Sequence, residues 1–257
     1  MAHVTVEGRK VFYQCPRELG RAAPRGRLVL LVHGAFDDHR LWRHLYPALG
    51  ESHTPIAIDL PGRGDSDGPA IKNAATYLRF FGSLVDALGL GRFVFFGHSM
   101  GGSMAVDFAA QHPERTEALV LMSSAPRWDV RQEDIDLWDN DWDRAHRDNE
   151  GFLYSKETPR ALREDYERQM RTTPAASCKA DIETCRTFAL DGLLGRIGAP
   201  TLVVCGDEEY WIEGSRALHR GIAGSRLELV PAAGHAIALE QPARLETIAS
   251  DFLKALR

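Results

Sequence analysis

The sequence predicts an α/β fold in which a mostly parallel sheet is flanked by helices. Short apolar runs, too short to be helices, alternate with helical patterns along the chain. One of these runs enters a helix directly through a glycine-containing turn, at residues 97–101. The 257 residues and the apolar fraction of 44% suit one large globular domain of this class.

The predicted strands start with a short hairpin, 4–6 against 10–13, and the continuous apolar run 28–32 that follows is typical of a strand buried on both faces. Further strands are predicted at 55–59, 93–96, 118–122, 200–205 and 226–230. Apolar residues at helical spacing follow several of the strands, at 41–49, 74–88, 103–110 and 242–256. Strands that alternate with helices in this way predict right-handed crossovers and a mostly parallel sheet.

The alternation stops between residues 125 and 194. This stretch is helical in pattern, rich in charges and without an apolar strand, and it holds three of the five tryptophans. We therefore predict that 125–194 is a helical cap inserted into a core formed by 1–124 and 195–257.

A nucleophile is predicted at Ser99. The sequence Gly97-His98-Ser99-Met100-Gly101 lies between a predicted strand and a predicted helix. A G-x-S-x-G in that context is typical of a nucleophile elbow, in which a strained turn lifts the serine hydroxyl out of the sheet. The helix N-terminus that follows favours a developing negative charge. The alternative is a chance match in a glycine-containing loop.

A serine nucleophile needs a base, and the base needs an acid that orients it. Elbow folds supply these groups in the chain order serine, acid, histidine. Asp207 and His235 follow the last two predicted strands, whose ends are expected at the same edge of the sheet. We predict Asp207 as the acid because it comes directly after Gly206, although Glu208 and Glu209 compete for that role. His235 is the predicted base.

The negative oxygen of a tetrahedral intermediate needs hydrogen-bond donors. The predicted oxyanion hole consists of the backbone N–H groups of Met100, after the nucleophile, and of Ala35, in the loop after the strand 28–32. Four aromatic residues are candidates for the substrate pocket, although packing of the cap onto the core explains the tryptophans equally well: Phe36, Trp128, Trp138 and Trp142.

The overall composition and charge limit the classes of partner and cofactor that we expect. A formal net charge of −5 gives no reason to expect a nucleic acid or an anionic membrane as partner, and no apolar run approaches the ~20 residues that span a bilayer. The four cysteines form no C-x-x-C pair, and the ten histidines show no metal-ligand spacing. We expect a cytoplasmic monomer or homodimer that acts on a small molecule without a metal or another cofactor.

These motifs, in this order, resemble the α/β-hydrolase superfamily and, more narrowly, its small cofactor-free esterases, lactonases and haloperoxidase-like members. The resemblance rests on His33-Gly34, Asp-x-Pro-Gly-x-Gly-x-Ser at 59–66, the elbow, Gly206-Asp207 and Gly234-His235. It implies the α/β-hydrolase fold with a mainly parallel eight-stranded sheet, an acyl-enzyme mechanism and a helical cap. By family position the triad would be Ser99, Asp207 and His235, with Ala35 and Met100 as the oxyanion hole.

Many relatives carry Gly-Asp-x-Asp followed by a proline, whereas this chain has Gly206-Asp207-Glu208-Glu209-Tyr210.

The predicted function is a serine hydrolase that cleaves a carboxylic ester or lactone of a small, hydrophobic substrate through an acyl-enzyme. Cleavage of a C–C bond or of a thioester by the same triad is the alternative. In another class, the protein would be a non-catalytic ligand-binding member of the fold.

Overall fold

The computed structural model of the protein describes residues 1–16, 19 and 24–256. In this part of the chain, eight strands form a single sheet. They are β1 (Ala2–Val6), β2 (Arg9–Gln14), β3 (Leu28–Val32), β4 (Thr54–Ile58), β5 (Phe93–His98), β6 (Thr116–Met122), β7 (Thr201–Gly206) and β8 (Arg226–Val230). The spatial order is β1-β2-β4-β3-β5-β6-β7-β8. Strand β2 is antiparallel to β1 and β4, and all other pairs are parallel. The predicted fold class is confirmed.

Helices cover both faces of the sheet. They are α1 (Leu45–Gly50), α2 (Ala74–Ala87), α3 (Met100–Gln111), α4 (Gln132–Asn140), α5 (Trp142–Leu153), α6 (Arg160–Met170), α7 (Ala175–Arg186), α8 (Ile212–Gly221), α9 (Ile237–Glu240) and α10 (Pro242–Ala255). Side chains of β3 alternate between two apolar cores: Leu30 packs with α2, α3 and α8, and Leu31 packs with α1 and α10. This alternation produces three layers, with the sheet in the middle.

The predicted helical pattern at 41–49 is divided into two short pieces. A 3₁₀ turn, His39–Trp42, starts at Asp38, whose carboxylate accepts the N–H of Arg40. Helix α1 begins only at Leu45. One continuous helix would place Pro47 in its interior, where the proline ring collides with the carbonyl group one turn earlier.

Helices α4 to α7 lie between β6 and β7, in the stretch for which a cap is predicted. We call residues 125–194 the helical segment. The predicted core also includes residues 17, 18, 20–23 and 257, which lie outside the described residues. Among the residues that the structure describes, no helix combines the length and the apolar character that crossing a bilayer requires.

Candidate active site

The predicted nucleophile sits in a strained turn. Ser99 lies between β5 and α3 with φ 52° and ψ −119°, and its side chain is 7% exposed. An added Cβ on Gly97 would lie 2.3 Å from the carbonyl oxygen of Gly101, and one on Gly101 would lie 2.5 Å from that of Val32. Only glycine fits at these two positions, because strand, turn and helix approach each other so closely. The conformation is that of a nucleophile elbow.

The ring of His235 is held by a buried carboxylate. Its Nδ1 lies 3.0 Å from each carboxylate oxygen of Glu209, and the two residues are 5% and 4% exposed. Since an ionised carboxylate only accepts hydrogen bonds, Nδ1 carries the proton in this pair. Nε2 is then left as the basic nitrogen.

The prediction that Asp207 pairs with His235 is wrong in this structure. Asp207 is exposed, and its backbone N–H continues the pairing with β8 by donating to the carbonyl of Val230 at 3.0 Å. The chain then turns, and the N–H of Glu209 donates to the carbonyl of Gly206 at 3.3 Å. This turn brings Glu209 back over the strand end towards His235. A sequence signal existed, because Glu209 occupies the second acidic position of the Gly-Asp-x-Asp pattern.

Two further histidines, one in the elbow and one in the loop after β3, are buried, and burial disfavours the charged form of both. Burial, followed by the electrostatic effect of His235, holds the pKa of His98 well below its usual range. His98 Nε2 donates to the carbonyl of His235 at 3.1 Å, which ties His235 to the residue before Ser99. Burial also lowers the pKa of His33, whose Nδ1 donates to Gly34 O at 2.8 Å while its Nε2 accepts the N–H of Leu60 at 3.0 Å.

The loop after β3, residues 33–38, lies against the elbow, and we call it the β3 loop. An added Cβ on Gly34 would be 2.9 Å from the Cβ of Ser99. Ala35 follows Gly34 directly, so the structure brings the predicted donor loop to the predicted nucleophile. Met100 is the first residue of α3, where backbone N–H groups have no partner within the helix. Phe36 has a left-handed backbone with φ 66°.

Three of the four predicted pocket aromatics belong to one apolar cluster, and Trp128 does not. The ring of Phe36 stacks on Trp138 of α4, with centroids 4.6 Å apart, and both residues are buried. The ring of His146 packs edge-on against both Trp138, at 5.0 Å, and Trp142, at 4.4 Å. Trp142 also lies beneath the guanidinium of Arg171, at 5.0 Å.

Trp128 packs on the other side of the sheet, near α3. Its Nε1 donates to the hydroxyl of Ser103 at 2.9 Å, and its ring meets Trp211 edge to face at 6.0 Å. Trp211, which the sequence did not single out, also contacts the ring of His235, with centroids 5.0 Å apart. Its position two residues after Glu209 is the only signal that the sequence offers.

One group of side chains has the spacing of metal ligands. Candidate ligand atoms of Asp38, His39 and Asp59 lie within 4.8 Å of one another. Their hydrogen bonds are already made locally, because Asp59 accepts from the backbone and the ring of His39 at 2.7 and 2.8 Å, and Asp38 binds the guanidinium of Arg40. The arrangement is explained by the turn that it stabilises.

Comparison with known proteins gives consistent matches. A family model described as "Alpha/beta hydrolase family" matches residues 29–248. A protein of Bacillus subtilis (strain 168), named "Putative 2-succinyl-6-hydroxy-2,4-cyclohexadiene-1-carboxylate synthase", is 30% identical over 89% of this chain and 90% of its own length.

Two solved structures are similar over nearly the whole chain. The enol-lactonase from Burkholderia xenovorans LB400 superposes with a TM-score of 0.89 at 22% identity, covering 98% of this chain and 99% of that one. The esterase from Exiguobacterium antarcticum superposes with a TM-score of 0.88 at 21% identity, covering 99% of each chain. At these identities the two structures establish the common fold.

Proposed function

This chain belongs to the alpha/beta hydrolase family, and we propose that it is a serine hydrolase that cleaves a carboxylic ester or lactone through an acyl-enzyme. One observation carries the proposal: a serine sits in a strained elbow, and the residue before it, His98, contacts the histidine whose ring is held by a buried carboxylate. A protein that only binds a ligand has no need of all three groups. Ser99, His235 and Glu209 are the proposed triad.

In the proposed mechanism, Nε2 of His235 removes the proton of the Ser99 hydroxyl as its oxygen attacks the acyl carbon. The imidazolium then gives that proton to the leaving alcohol, and His235 next activates a water molecule that releases the acid. Glu209 holds the ring in one tautomer and stabilises its positive charge. Because the carboxylate is almost fully buried, water screens this interaction little.

The proposed oxyanion hole consists of the N–H groups of Met100 and Ala35. The start of α3 directs the first of these groups and the helix dipole towards the reaction centre. The close approach of Gly34 to Ser99 supports the second. Loss of one such donor typically costs about 3–4 kcal/mol in the transition state.

We further propose that the helical segment covers the site as a cap. Leu153, at the end of α5, accepts the N–H of His235 at 2.8 Å, and Trp138 of α4 stacks on Phe36. Both contacts join the segment to loops that carry proposed catalytic groups. The Phe36–Trp138 pair gives the covered space an apolar, aromatic wall, which suits a small hydrophobic acyl or alcohol group.

Turnover of p-nitrophenyl esters from acetate to decanoate, together with a set of simple lactones, tests the proposal. We expect hydrolysis by the wild type, covalent labelling of Ser99 by a fluorophosphonate, and no hydrolysis by Ser99→Ala. Activity that survives in Ser99→Ala would refute the nucleophile. A wild type that neither turns over nor labels would refute the serine hydrolase. Labelling without ester or lactone turnover would redirect the search to thioesters and C–C bonds.

A further inference from the structure

Both backbone polar groups of Phe36 are held by side chains of the helical segment. The N–H of Phe36 donates to Oδ2 of Asp181, on α7, at 2.8 Å. Its carbonyl accepts the hydroxyl of Thr173, between α6 and α7, at 2.8 Å. A left-handed backbone is unfavourable for a residue with a side chain and persists only where its surroundings impose it. Here the imposing groups are more than 130 residues away in the sequence.

The carboxylate of Asp181 is itself fixed and neutralised. Arg63 binds both of its oxygens, and neither side chain is exposed to solvent. The same guanidinium donates to the carbonyl of Ser177 at 2.8 Å, which ties it to the first turn of α7. An ion pair alone would fasten the helical segment to the core. The ion pair does not explain why the carboxylate of Asp181 also accepts the N–H of Phe36.

The hydrogen bond from the N–H of Phe36 to Asp181 also affects the neighbouring oxyanion donor. Phe36 follows Ala35, whose N–H is the proposed oxyanion donor, so Asp181 fixes the next peptide plane along the chain. It also occupies the N–H of Phe36, which leaves the neighbouring donor for the substrate. Because Arg63 balances its charge, the carboxylate can lie this close without repelling the negative oxygen of the intermediate.

We propose that Asp181, with Thr173, is a positioning residue that fixes the oxyanion hole from the helical segment. This inference rests on the function proposed above. It predicts that residues which touch neither substrate nor nucleophile act on the transition state through the β3 loop. The segment is then part of the catalytic framework as well as a cover.

The chain offers a matched control. Thr184, on α7, is fully buried like Thr173 and also donates its hydroxyl to a core carbonyl, that of Ile71, at 3.1 Å. Ile71 lies outside the β3 loop, so this hydrogen bond does not involve that loop. Thr173→Val and Thr184→Val therefore each remove one buried hydrogen bond between the helical segment and the core, and only the first frees Phe36. Asp181→Asn removes the charge at nearly constant volume.

We would measure kcat, KM and the Ki of a trifluoromethyl ketone that forms a tetrahedral oxyanion on Ser99. We expect kcat to fall about 10- to 100-fold in Asp181→Asn and about 3- to 10-fold in Thr173→Val. KM should stay within about twofold, while Ki rises in step with the loss in kcat. Thr184→Val should stay within about twofold in all three quantities. Losses confined to KM, or equal losses in the two threonine variants, would overturn the proposal.

Hydrogen exchange of the peptide covering residues 33–38, read by mass spectrometry, needs no turnover. It should speed up in Asp181→Asn and Thr173→Val and stay unchanged in Thr184→Val. Unchanged exchange in the first two variants refutes the positioning role. The ester assay on the wild type and Ser99→Ala decides separately on the proposed function.

Discussion

Replacing Glu209 by glutamine should remove most of the activity, whereas replacing Asp207 by asparagine should leave it nearly intact. The two carboxylates are two residues apart, and only that of Glu209 touches the ring of His235. Glutamine keeps the volume of the side chain and offers an oxygen to Nδ1–H. The exchange thus removes the negative charge while leaving the packing in place.

The magnitude follows from the charge that appears during the reaction. Both oxygens of Glu209 lie 3.0 Å from Nδ1, so the imidazolium forms in direct contact with the carboxylate. Two opposite charges about 4 Å apart interact by roughly 4 kcal/mol at an effective dielectric constant near 20. That energy corresponds to a factor of about 10³ in rate. We therefore expect kcat of Glu209→Gln to be about 10³-fold below the wild type.

The assay is hydrolysis of the best p-nitrophenyl ester from the chain-length series. Circular dichroism and the urea midpoint show whether each variant is folded. Asp207→Asn should keep kcat within about threefold, because Asp207 is exposed and outside the proposed triad. A folded Glu209→Gln that keeps a third of the activity, together with a large loss in Asp207→Asn, would refute the assignment of the acid.

Three further predictions concern stability. Ser99→Gly should be more stable than Ser99→Ala by about 1–2 kcal/mol in urea unfolding, because φ 52° with ψ −119° is strained for a residue with a Cβ. Equal urea midpoints for the two variants would contradict this. Gly97→Ala should cost about 3 kcal/mol or more, because the new Cβ would lie 2.3 Å from the carbonyl oxygen of Gly101. Gly91→Ala, with nothing within 4 Å, is its control and should change stability by about 0.5 kcal/mol or less. Burial and a neighbouring carboxylate raise the pKa of Asp37 to about 7, so the folded protein retains a proton that the unfolded chain has lost above its ordinary pKa near 3.8. The free energy of unfolding should therefore fall as the pH rises from 5 to 7, and the fall should be about 2–3 kcal/mol larger in the wild type than in Asp37→Asn. Parallel plots of this free energy against pH for the two proteins would refute the prediction.

The sheet could be predicted because its central strands are short, mostly apolar runs. The stretches predicted at 28–32 and 226–230 are the observed strands, and the other predicted strands differ only at their ends. The elbow could be predicted for a similar reason, since strand, turn and helix follow one another without interruption. The division of the predicted helix at 41–49 also has a local cause, Pro47, but apolar spacing alone does not reveal it.

The sequence left three candidates for the proposed acid, since three acidic residues in a row follow Gly206 and the Gly-Asp-x-Asp pattern contains two of these positions. What separates them is the direction of each side chain, and that depends on how the turn after β7 pairs with β8. Similarly, the spacing of Trp128, Trp138 and Trp142 says nothing about which of them reaches the β3 loop. That depends on how α4 and α5 rotate against the core, which long-range packing decides.

The two strained residues of the site show why one half of it was predictable and the other was not. Most of the Ser99 turn is local, because Gly97 lets β5 and the start of α3 approach each other within one continuous stretch, and Gly101 adds a close approach to Val32 of β3. Phe36 is held by side chains from the helical segment, which the chain reaches only after three more strands. A local motif therefore describes the proposed nucleophile, whereas the backbone of Phe36 depends on side chains far away in the sequence. We expect substitutions in the helical segment to preserve activity only where both hydrogen bonds to the backbone of Phe36 are kept.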